Sequence, residues 1–171
     1  MSKTKRLTLC AILVALALAL SYTERFIPLQ MLVPLPGVKL GLANIITVFA
    51  VFALGPGEAC AILFCRIFLG AVFAGNFSSI FYSAAGGTLA ILTTILLRKI
   101  LTKKQLWVAG IIGAVAHSAG QVGMSILITG TPGIIVYLPP LAAISIVTGC
   151  FTGLCAQFLV NRGKLWKTTS N

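Results

Sequence analysis

Long apolar stretches broken by three short basic clusters constrain this chain more than any other feature. The clusters are Lys3, Lys5 and Arg6, then Arg98, Lys99, Lys103 and Lys104, then Arg162, Lys164 and Lys167. An apolar stretch of roughly 17 to 25 residues crosses the hydrocarbon core of a bilayer as one helix. Lys and Arg beside such spans stay on the cytoplasmic side, so the pattern predicts orientation as well as class. Only 9% of the 171 residues are charged, whereas a soluble domain carries roughly 25%. The chain therefore reads as an all-α integral membrane protein forming a single domain over residues 1–171, with both termini cytoplasmic. The net charge of +11 fits topology and contact with anionic lipid headgroups better than nucleic-acid binding.

Six spans are expected, over approximately 7–22, 38–54, 58–74, 78–97, 106–128 and 138–160. A Gly55-Pro56-Gly57 turn reverses the chain between the second and third. Six is the count that puts all three basic clusters on one face; five or seven would strand one of them outside. A cleaved signal peptide is a rival reading of the first stretch, because Lys3–Arg6 precede an apolar run and Ala17-x-Ala19 resembles a cleavage site. Against it stands a stripe of Ala11, Ala15 and Ala19, small residues on one helix face that let another helix come close. Gly149 and Gly153, and Ala116 and Gly120, repeat that spacing and predict packing within the bundle. The five cysteines all lie in apolar stretches without C-x-x-C spacing, and read as small packing residues.

An ionisable side chain at the bilayer centre costs about 2.5 to 3.5 kcal/mol on insertion scales, so each one calls for a reason. Arg66 lies halfway along the third span. His117 and Gln121 are four apart and share one face of the fifth. Asn44 lies just inside the second span, Lys39 at its outer end, and Asn76 at the outer end of the third. Glu58 precedes Arg66 by eight residues, about 12 Å along a helix, too far for direct pairing. Glu24 is expected in an outer loop, which leaves Arg66 without a carboxylate partner and needing carbonyls, hydroxyls or an anionic ligand.

These residues predict a pocket opening outward, lined by Lys39, Asn44, Arg66, Asn76, His117 and Gln121, for an anionic or strongly polar molecule. Each has a plainer alternative. Lys39 could snorkel to the outer headgroups, and His117 could donate to a backbone carbonyl inside the core. Tyr22 and Tyr137 suit the membrane interface. Enzymatic chemistry finds little to work with. Two glutamates, no aspartate and one histidine supply neither a general acid–base pair nor the clustered carboxylates that magnesium on a diphosphate requires. No phosphate-binding glycine loop is present. No metal and no cofactor is expected, and ATP-driven transport would need hydrolysis in another subunit.

The segments Pro36-Gly37-Val38-Lys39-Leu40-Gly41-Leu42-Ala43-Asn44, Gly55-Pro56-Gly57-Glu58-Ala59 and Arg66-Ile67-Phe68-Leu69-Gly70 resemble a known membrane family. So do Ser83-Ala84-Ala85-Gly86-Gly87, Gly113-Ala114-Val115-Ala116-His117-Ser118-Ala119-Gly120-Gln121 and Tyr137-Leu138-Pro139. Its members are labelled Gx transporter or heptaprenyl diphosphate synthase component I. Ser118 departs from the asparagine more usual there. The resemblance is also to the S components of energy-coupling-factor (ECF) transporters, which are six-helix bundles that bind a small molecule near the outer face. It implies a bacterial cytoplasmic-membrane protein whose partners are a coupling transmembrane subunit and ATPase subunits. It further implies that Ala11, Ala15 and Ala19 dock on the coupling subunit. The older label implies instead a noncatalytic membrane component associated with heptaprenyl diphosphate or menaquinone-precursor synthesis.

Overall fold

The computed structural model describes residues 3–26, 41–102 and 104–162, and their regular structure is helical throughout. Helix α1 spans Lys3–Thr23 and α2 spans Asn44–Ala53. Helices α3 and α4 span Pro56–Ala74 and Ser78–Arg98. Helix α5 spans Leu106–Thr129, and a 3-10 turn over Pro132–Tyr137 leads into α6, Leu138–Arg162. Five of these, all but α2, are long and apolar enough to cross a membrane. They lie within a few residues of the five corresponding expected spans and mark a multi-pass membrane protein.

The ends of α3 and α5 follow from local chemistry. Gly75 and Gly130 close them in the left-handed conformation, at φ 63° and 65°, where a glycine has no Cβ to strain. The expected Gly-Pro-Gly turn is tighter than its sequence implies. Gly55 alone makes the reversal at φ 140°, and Pro56 already opens α3, where its missing N–H has no partner to lose.

The second span departs most from expectation. Gly41 has φ 82° and Leu42–Ala43 form a turn, so α-helix begins at Asn44; residues 38–40 lie outside the described residues. Helix α2 has 10 residues, about 15 Å of length, half of the roughly 30 Å hydrocarbon thickness. Eight of its residues are buried, and it touches all five other helices. It is a short central core helix. Val48, Phe49 and Val51 meet Ile62 and Leu63 of α3 and Leu106 of α5 in one apolar cluster.

Around that core, α4, α5 and α6 approach backbone to backbone. A Cβ on Gly149 of α6 would stand 2.7 Å from the Gly110 carbonyl of α5. One on Gly120 of α5 would stand 2.7 Å from the Ala85 carbonyl of α4. Glycine is what lets these helices close without lipid or side chains between them, as the spacing at Gly120, Gly149 and Gly153 predicts. Helix α1 is different. It buries only Leu13 and Ala17, while Leu7, Ile12 and Leu16 are exposed on the outside of the bundle.

The described basic clusters collect at one end. Arg6 of α1 forms an ion pair with Glu58 of α3, and the Arg98 guanidinium approaches Gly55 from the end of α4. Gly149 packs on Gly110 and Gly153 on Trp107, so α6 runs antiparallel to α5 and ends, at Arg162, beyond the start of α5.

Candidate functional site

Burying a guanidinium away from water is tolerated only where polar partners or a ligand meet it. Arg66 is 8% exposed, in the middle of α3, and lines a cavity of about 390 Å³ bounded by α1, α3 and α4. Leu18, Ile67 and Ala71 supply apolar wall, and Ser21, Ser79 and Ser83 supply hydroxyls. Arg66 Nη1 donates to Ser21 Oγ at 3.2 Å. Its Nε and Nη2 are buried without a hydrogen-bond partner among the described residues. Those two N–H groups share one edge of the planar group, the fork that grips a carboxylate or phosphate through two parallel bonds.

Glu24 stands near enough for its charge to act on Arg66, a carboxylate influence that the sequence did not lead one to expect. A 3-10 turn over Glu24–Phe26 follows α1 directly, and Glu24 is 5% exposed. Its carboxylate accepts a hydrogen bond from the Leu42 N–H, and its charge acts on Arg66. The sequence held one clue to this. With two acidic residues in the chain and Glu58 out of reach, Glu24 was the only carboxylate left for a buried arginine. Glu58 pairs with Arg6 instead, in agreement with its separation from Arg66.

A second polar group forms where α2 begins. Asn44 is 3% exposed, and neither its amide oxygen nor its nitrogen has a hydrogen-bond partner among the described residues. A Cβ on Gly41 would meet Asn44 Nδ2 at 2.9 Å and His117 Cδ2 at 3.6 Å, so Asn44 and His117 converge on that glycine. His117 and Gln121 are both buried and pack together against Gly86 of α4. The structure therefore brings Asn44, His117 and Gln121 into one group and puts Arg66 in another. The Glu24–Leu42 contact bridges the two.

The remaining expected site residues fall elsewhere. Asn76 is exposed at the α3–α4 turn. Its Oδ1 accepts the Ser79 N–H at 3.3 Å and its carbonyl accepts the Ser79 hydroxyl at 2.8 Å, so it caps α4 and fixes a serine that lines the cavity. Lys39 lies outside the described residues. Ser118 shares a buried hydrogen bond with Ser145 across α5 and α6, at 2.6 Å. Ala11, Ala15 and Ala19 are exposed, and Ala19 also lines the cavity. Ser21, Ser79 and Ser83 were missed by sequence reasoning. Serines are common in membrane helices, and nothing in their spacing sets these three apart.

Magnesium on a diphosphate would need carboxylate oxygens close together. Glu24 follows the end of α1, while Glu58 pairs with Arg6 near its start, about 27 Å away at 1.5 Å per residue. Among the described residues no three His, Cys, Asp or Glu side chains gather. The donor set does not fit that ion.

A family model described as heptaprenyl diphosphate synthase component I matches residues 13–159. The chain belongs to that family, whose name describes one component of a larger assembly. Neither a curated protein nor a solved structure matches it.

Proposed function

We propose that this component I chain is a binding subunit of the bacterial cytoplasmic membrane, without catalysis of its own, that presents a small anionic or amphipathic molecule to partner subunits. The observation that carries this reading is the Nε–Nη2 edge of Arg66, buried in a largely apolar cavity with no hydrogen-bond partner among the described residues. A desolvated fork of that kind loses water without replacing it until an anion arrives. The Asn44, His117 and Gln121 group, across the Glu24–Leu42 contact, completes the ligand site. Both termini and the basic end of the bundle face the cytoplasm, so the cavity lies toward the outer face.

The form of partnership favoured is that of an S component in an ECF-type uptake transporter. The exposed Ala11–Ala15–Ala19 face supports it, because small residues that no helix of this chain covers leave room for a partner helix. Energy would come from ATPase subunits acting through a coupling membrane subunit. The family description favours a second reading, a noncatalytic membrane component in heptaprenyl diphosphate synthesis. The two readings share the Arg66 site and differ in the partner.

Purification from native membranes in mild detergent separates them. A coupling subunit with ATPases supports the transporter; a soluble prenyltransferase supports the synthase component. ATP-dependent uptake into proteoliposomes that survives Arg66→Leu unchanged would sink the binding role of the guanidinium.

A further inference from the structure

Helices α1 and α4 both line the Arg66 cavity, yet among the described residues they do not pack against one another. Helix α3 touches both and carries Arg66, so it forms the floor of a slot whose front lies open between α1 and α4. Tyr22 and Phe73 line the cavity and are themselves exposed, giving the slot an aromatic mouth on the flank of the bundle. Its floor is cut away at Gly70, one helical turn beyond Arg66 on the same face. A Cβ there would be in ordinary contact with Leu18 Cδ2 at 3.6 Å, so the missing side chain of Gly70 leaves room beside the Leu18 wall.

We infer that the ligand is an amphipathic anion taken laterally from the bilayer: its phosphate or carboxylate head meets Arg66, and its hydrocarbon portion leaves through the slot between α1 and α4. The inference rests on the reading of Arg66 as an anion site and adds the ligand's second half and its route. Three features carry it. The head-binding fork is single and deep. The other lining residues are apolar or hydroxylic, with no second cation among them, and the Glu24 charge that acts on Arg66 comes from outside that lining. The mouth of the slot is formed by the exposed rings of Tyr22 and Phe73 on helices apolar enough to cross a membrane, so an apolar tail between them would stay out of water. A small water-soluble anion would make no use of the slot.

The test uses radiolabelled dodecyl phosphate and radiolabelled methyl phosphate on the full chain in nanodiscs, as wild type, Arg66→Gln and Gly70→Leu. Leucine at position 70 raises helix propensity and its Cβ would meet the flexible end of Leu18; retention of the fold is checked by monodisperse elution. The wild type is expected to bind dodecyl phosphate at least about tenfold more tightly than methyl phosphate. Arg66→Gln should abolish that binding, and Gly70→Leu should weaken dodecyl phosphate about tenfold more than it weakens methyl phosphate. Equal binding of the two probes, no binding of dodecyl phosphate to the wild type, or indifference of dodecyl phosphate to Gly70→Leu overturns the lateral slot. In each of those cases a dependence of methyl phosphate on Arg66 keeps the anion site itself. Loss of neither probe in Arg66→Gln overturns both.

Discussion

Ser21 of α1 accepts a hydrogen bond from Arg66 of α3 at 3.2 Å, and that bond occupies the one guanidinium nitrogen that is not part of the open fork. The serine thus satisfies the back of the group and leaves its binding edge for a guest. Removing the hydroxyl should loosen the guanidinium without removing its charge. A hydrogen bond to a charged group contributes about 1.5 to 3 kcal/mol, so Ser21→Ala is expected to weaken ligand binding about ten- to a hundredfold. Titration of the purified variant checks this, and unchanged affinity would show that Ser21 does not orient the fork.

Arg66→Gln should cost more. It removes the charge and both open donors, and a loss of roughly 3 kcal/mol or more is expected, about a hundredfold in affinity. Thermal stability without ligand should hold or rise, because an incompletely paired buried charge is no longer desolvated. A melting curve in detergent that falls sharply would instead assign Arg66 to the scaffold.

The glycine seams offer a contrast between neighbours on one helix. A methyl at Gly120 would press on the Ala85 carbonyl at 2.7 Å, whereas one at Gly123 would meet nothing within 4 Å. Gly120→Ala should destabilise by about 1 to 3 kcal/mol through forced separation of α4 and α5. Gly123→Ala should be neutral or stabilising by up to about 1 kcal/mol through helix propensity. Comparing the two melting temperatures tests the seam directly.

The alanine face of α1 divides by depth. Ala15 is exposed and lies outside the cavity, while Ala19 lines it. Ala15→Trp should leave ligand affinity within about twofold and abolish copurification of the partner subunits. Ala19→Trp should impair both. Intact complex formation by Ala15→Trp would remove this face from the docking surface.

Orientation is open to labelling. With the native cysteines replaced, a membrane-impermeant thiol reagent should reach Thr4→Cys and Lys104→Cys from the cytoplasmic side and Asn76→Cys from the other. Labelling of Thr4→Cys and Lys104→Cys from different sides would overturn the arrangement.

The membrane class, five of the six helices and the packing glycines were legible because they depend on local hydropathy and spacing. Arg66 was legible for the same reason, as a charge in an apolar run. The half-length of α2 was not. A hydropathy window counts Gly41, Leu42 and Ala43 as span, and only the positive φ of Gly41 shows that the helix has yet to begin. Glu24 was hidden by distance along the chain. Its burial depends on a hydrogen bond to Leu42, 18 residues away, and no local pattern encodes such a return. The division of the expected pocket into an Arg66 cavity and an Asn44–His117–Gln121 group has the same origin. It is set by which helices touch, and residue spacing within one helix carries no trace of that.

Where two helices meet through bare backbone there is no side chain to swing aside and little slack to give. Helices α4, α5 and α6 must therefore travel as one plate. Helix α1 is held instead by side chains, through Arg6 to Glu58 and Ser21 to Arg66, and it carries both a wall of the cavity and the exposed alanines. Anything seated on those alanines would touch the same helix that walls the binding chamber.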